Sequence, residues 1–80
     1  MHEAKLCLSL LSMAERALAQ AGGERITAVH LSVGALCGVS PDALALTFPL
    51  CAAGTRADGA ALRIERTPGR ELVLRELEVL

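Results

Sequence analysis

The stretch ERITAVHLSVGALCGVSPDAL, residues 24–44, decides the fold. Its first part alternates: Val29, Leu31 and Val33 are apolar, and His30 and Ser32 between them are polar. Successive strand side chains point to opposite faces, so this pattern predicts a β-strand with one buried face, closed by Gly34. The period then breaks. ALCGVSPD reads as a loop and SPDA as a helix start. Ser40 is placed to cap, Pro41 takes the first helical position, where its missing N–H is no loss, and Asp42 meets the positive helix end.

Helical patterns lie on both sides of this strand. Upstream, residues 3–21 predict an amphipathic helix, with Leu6, Leu10, Met13, Ala14, Ala17 and Ala21 as its apolar positions. Lys5, Ser9, Ser12, Arg16 and Gln20 form the opposite face, and Gly22-Gly23 ends the helix. Downstream, residues 41–53 predict a second helix with Leu44, Phe48 and Cys51 inward. Pro49 conflicts with that helix, because an interior proline lacks a donor and crowds the carbonyl four residues back, which costs about 3 kcal/mol. The expectation is a bend near Ala45 or an end near Phe48.

Two more strands complete the chain. Residues 60–66 place Leu62 and Ile64 inward, with Arg63 and Glu65 outward. Residues 70–80 slip parity, since Leu72 and Leu74 share one face and Leu77 and Val79 the other. A β-bulge near Arg75-Glu76 would return both pairs to the core. The order α-β-α-β-β predicts an α+β fold, two helices packed on one face of a three-stranded sheet. The connection TPGR, residues 67–70, fits a tight hairpin poorly, because proline fixes φ negative and Pro-Gly suits a type II turn that splays the strands. A wider loop, or exchange of the last strand between two copies in a homodimer, would relieve that strain.

Composition narrows the function. Eighty residues make one domain, and a net charge of −1 gives no basic footprint for nucleic acid. A hydrophobic content of 52% supports a core, which is aliphatic because Phe48 is the only aromatic residue. No apolar run is long enough to span a membrane, and the start lacks a signal-peptide pattern. Cys7, Cys37 and Cys51 are odd in number and form no CxxC, which argues against a disulfide framework and a structural zinc site and for a reducing cytoplasm. No nucleophile–base arrangement, phosphate loop or carboxylate pair points to an enzyme.

The remaining chemistry lies at the start, MHE at 1–3, where a histidine stands beside an amino terminus. Together with HLSVGALCGVSPDAL at 30–44, AAGTRADGAALRIERTPG at 52–69 and GRELVLRELEVL at 69–80, it resembles the HypA/HybF family of nickel metallochaperones. The similarity spans essentially the whole chain. It implies a role in nickel–iron hydrogenase maturation, and in some organisms urease maturation, with the maturation GTPase HypB and the hydrogenase large subunit as partners. The family carries a zinc-binding segment with two CxxC pairs between its second and third strands. Here IERTPG runs directly into GRELVLRELEVL, so the insertion is expected to be absent at about 68–69 and no zinc is expected.

The resemblance also implies a metal site at Met1, His2 and Glu3. Nickel(II) takes square-planar nitrogen sets. The Met1 amine, the His2 amide and imidazole, and the Glu3 amide offer one. Glu3 is either an oxygen ligand or an acceptor that orients the imidazole. The ordinary alternative is a solvated His and Glu in a frayed first turn. Some family members add an acidic residue before the second helix. Ser40 and Asp42 flank that position, where capping is the ordinary role, and the third ligand stays open. His30, on a strand's outer face, suits a cross-strand contact. Loss of the zinc segment leaves a second reading, a non-metal adaptor or structural subunit that keeps the fold for protein–protein interaction.

Overall fold

The structure, a computed structural model, describes residues 3–80. The alternating stretch forms strand β1, Ile26–Gly34, and it is the centre of the sheet. β2, Ala61–Thr67, lies parallel to it on one side, and β3, Leu72–Val79, antiparallel on the other, in the order β2-β1-β3. Parallel neighbours need a crossover connection. Helix α2, Pro41–Ala52, supplies it, and helix α1, Glu3–Ala21, precedes β1. The helices touch each other, with α1 over β1 and β3 and α2 against β2. This is the expected two-layer fold.

Register sorts the strand faces. Val29 and Leu31 stand opposite Leu62 and Ile64 of β2 and Leu77 and Leu74 of β3, and this row faces the helices. Two bulges keep the row aligned. Arg75 is the extra residue between the His30–Glu76 and Leu31–Leu74 pairs, and Thr27 is the extra residue on β1. The parity slip read from the sequence is therefore a bulge at Arg75.

Three expectations need correction. The first concerns the TPGR connection, whose poor fit to a tight hairpin has a different ground from the wider loop or strand exchange expected: β2 and β3 do not pair, because β1 lies between them. Their connection crosses the end of β1 instead. Gly34 N–H donates to the Glu71 carbonyl at 2.7 Å, Ala35 N–H to Thr67 at 2.8 Å and Leu36 N–H to Gly69 at 2.9 Å. Thr67 Oγ1 donates to Glu71 Oε2 at 2.6 Å, and this bond holds the Glu71 carboxyl below its usual range. The hairpin strain that motivated strand exchange does not arise in this path.

The second correction concerns α1. Its buried stripe is Cys7, Leu10, Leu11, Ala14 and Leu18, rotated from the expected face, and Met13 is 47% exposed. Two surfaces compete for this helix, the sheet below and α2 beside it, and periodicity alone cannot weigh them. The third concerns Pro49, and it touches only one of the two outcomes expected there, the end near Phe48. α2 runs through it without ending at Phe48, and Pro49 is exposed. The carbonyl it leaves without an intrahelical donor belongs to Ala45, also on the exposed side, where water can satisfy it.

The sheet's other face is polar and tied across strands. Ser32 is fully buried there, because Arg75 Nε donates to its Oγ at 2.9 Å and its hydroxyl donates to Glu65 Oε1 at 3.2 Å. His30 Nε2 and Glu78 Oε2 are 2.7 Å apart, a diagonal cross-strand contact, since Glu76 is the residue directly opposite.

Candidate metal centre

Met1 and His2 lie outside the described residues. The third candidate ligand, Glu3, opens α1 and is half-buried. A carboxylate in the first turn is favoured by the exposed N–H groups of the helix start.

The start of α1 meets the end of α2. Cys51 Sγ donates weakly to the Ala4 carbonyl at 3.9 Å. Cys7, one turn further along α1, is fully buried beside Cys51. Burial pushes its thiol up to about 11, and the neighbouring Cys51 and then Glu3 add to the rise. The proton therefore stays on Cys7 at neutral pH, which makes the thiol a poor nucleophile. Cys37 and Cys51 are only partly buried, and all three cysteines are free. Sequence spacing could not have paired Cys7 with Cys51, because they meet only when the two helices dock.

The residues considered for a third ligand lie elsewhere. Ser40 caps α2 by accepting from Ala43 N–H at 3.2 Å, and Pro41 and Asp42 occupy the first turn as expected. Asp42 Oδ1 accepts from Arg66 Nη2 at 2.9 Å. It precedes Cys51 by nine residues, about 14 Å of helix rise from the point where α1 begins against α2. Among the described residues, no three His, Cys, Asp or Glu side chains are grouped to hold a metal ion. His30 is occupied by Glu78 on the opposite side of the sheet from the helices. The described side chains therefore do not make a three-ligand site of their own at the amino end.

Comparison with known proteins gives this geometry a family. Residues 1–77 match the family described as "Hydrogenase/urease nickel incorporation, metallochaperone, hypA". A hydrogenase maturation factor HypA from Roseiflexus sp. (strain RS-1) is 50% identical over 68 residues, which cover 85% of this chain and 55% of that protein. The HypA of Chloroflexus aurantiacus is 47% identical over 85% of this chain and 60% of its own length. The HypA of Geobacter sulfurreducens is 44% identical over 88% of this chain and 61% of its own. The chain thus spans little more than half the length of these relatives. The solution structure of the Ni metallochaperone HypA from Helicobacter pylori superposes with a TM-score of 0.88 at 17% identity, covering 100% of this chain and 98% of that one, a likeness of fold. Since the family pattern runs from residue 1 to residue 77 of an 80-residue chain, the chain belongs to the HypA family.

Proposed function

We propose that this chain binds nickel(II) through Met1, His2 and Glu3 and surrenders it to the nickel–iron hydrogenase maturation machinery, with no turnover of its own. The family match that begins at residue 1 and includes MHE carries this reading. Nickel is cargo here, so the grip must be reversible. An open set of amine, amide and imidazole nitrogens suits that need better than an enclosed cage. The recipients are HypB and the hydrogenase large subunit, and three free cysteines are compatible with a reducing cytoplasm. The Pro68-Gly69 crossing stands where the family's zinc segment would be inserted, so this chain is read as the nickel-binding portion without it.

The ligands bind deprotonated, which fixes the pH dependence. The imidazole must be neutral and the amides must lose protons, so affinity falls as pH falls through about 6.5, the ordinary histidine range. Calorimetric nickel titration of chain with a free Met1 amine is the test, beside His2→Ala and an amino-acetylated form. At least about tenfold weaker binding is expected for each altered form, as for lost ligands. Equal heats from wild type and His2→Ala would remove the site.

One observation favours the adaptor reading. Leu46 and Leu50 of α2 are 77% and 79% exposed, one helical turn apart, and flank the exposed Pro49. Such a patch suits protein contact. Purification from cells separates the readings: maturation proteins as companions support nickel delivery, and stable stoichiometric residence in another complex supports the adaptor.

A further inference from the structure

We propose that β3 pairs with the β3 of a second copy of this chain, joining two sheets into one of order β2-β1-β3-β3-β1-β2. β3 is an outer strand, and no described strand covers its far side. Free strand edges are templates for another strand. The particular partner is chosen by the bulge at Arg75 and by the charges beside it.

The bulge gives the strand a two-fold pattern. Leu72 and Leu74 pack against the helix-side core before it and Leu77 does so after it, while Val79 lines the groove beside α1. Arg75 points to the polar face, where it donates to Ser32, and Glu76 stands opposite His30 on that same face. Now let two such strands run antiparallel about a point between Arg75 and Glu76. Arg75 meets the partner's Glu76, Leu74 meets the partner's Leu77, and Leu72 meets the partner's Val79. Residues opposed in an antiparallel pair must share a face. A regular strand fails this condition in this register, because opposed residues there differ in parity. The bulged strand satisfies it at each pair.

Charge and shape agree with that register. Charges on an edge ordinarily deter pairing. Here the two-fold sets unlike charges opposite each other twice, and any register that opposes like residues loses both contacts. Arg75 spends only Nε on Ser32, which leaves its two terminal amino groups for a carboxylate. A groove of about 330 Å³ lies along the open edge of β3, lined by Ala17 and Ala21 of α1, by Leu74, Leu77 and Val79, and by Arg75 and Glu76 of the bulge. No β1 residue lines it, so it sits outboard, where the partner's leucines would enter. An isologous contact of this kind closes on itself and does not grow into fibres.

Sedimentation of the whole chain from micromolar to millimolar concentration tests the proposal, with mass read against the 8.4 kDa of one chain. A reversible dimer is expected. Glu76→Arg opposes two arginines at each contact and should weaken the dimer about tenfold. Glu76 is exposed, so the variant should fold, and its circular dichroism melt checks this. The double variant Arg75→Glu, Glu76→Arg restores the opposed charges and should restore the dimer. In wild-type protein, isotope-filtered methyl contacts between Leu74 of one copy and Leu77 of the other should appear at dimer-forming concentration. A monomer throughout the range, a dimer indifferent to Glu76→Arg, or absence of the Leu74–Leu77 contact would each overturn the proposal. A dimer formed by strand exchange falls in that second class, because its interface does not depend on these charges.

Discussion

Cys7 and Cys51 belong to the same residue type and lie side by side, but Cys7 is fully buried and Cys51 only partly so. The Cys7 thiol, pushed up to about 11, holds its proton through neutral and mildly alkaline pH. Alkylation requires the thiolate, so a raised value slows it at every pH below that point. Iodoacetamide at pH 8 should therefore label two thiols of the folded chain, Cys37 and Cys51, and reach the third only in denaturant, as mass spectrometry would read. Rapid labelling of Cys7 in native protein would mean the α1–α2 contact opens readily. At this scale the sequence was most legible where a residue type has one dominant local use. Ser40, Pro41 and Asp42 announced a helix start because capping is chemistry within one turn. Ser32 was illegible, because its burial on the polar face comes from Arg75, forty-three residues away.

The elements were legible by period, and their pairing was not. α1, β1, α2 and the bulged β3 all follow from spacing of apolar residues, but spacing does not say which strand lies in the middle. That β2 and β3 are separated by β1 rests on the parallel β1–β2 pair, a long-range choice. The decisive position is Gly34, where the β2–β3 connection passes over the end of β1. A Cβ there would strike the backbone of Gly69 and Arg70, neither of which can swing aside. Gly34→Ala should lower stability by about 1–3 kcal/mol, as overpacking does, a fall in melting temperature of roughly 5–20 °C for a domain of this size. A melt unchanged by Gly34→Ala would mean that the crossing is loose. Pro49 makes the converse point: an interior proline need not end a helix, and the burial of Phe48 and Ala52 on either side of it keeps α2 continuous to Ala52.

At the scale of the molecule, the core is aliphatic and one sheet thick, held by Val29, Leu31, Leu44, Phe48 and their neighbours. Nothing in that list needs an ion. A chelator such as EDTA should leave the melting temperature unchanged within about 1 °C, well below the shift expected for even 1 kcal/mol, and a large drop would reveal a structural metal. The proposal for the amino terminus rests on family likeness, since three residues carry too little pattern to be read alone. The crossing at 67–71 has a wider consequence. Each flanking strand makes its ladder with the central one and none with the other, so the path between them is a splice point. A longer excursion inserted there would add only the slowly growing entropy of a larger loop. A chain that carries such an excursion can therefore keep the β2-β1-β3 pairing and the helices above it unaltered.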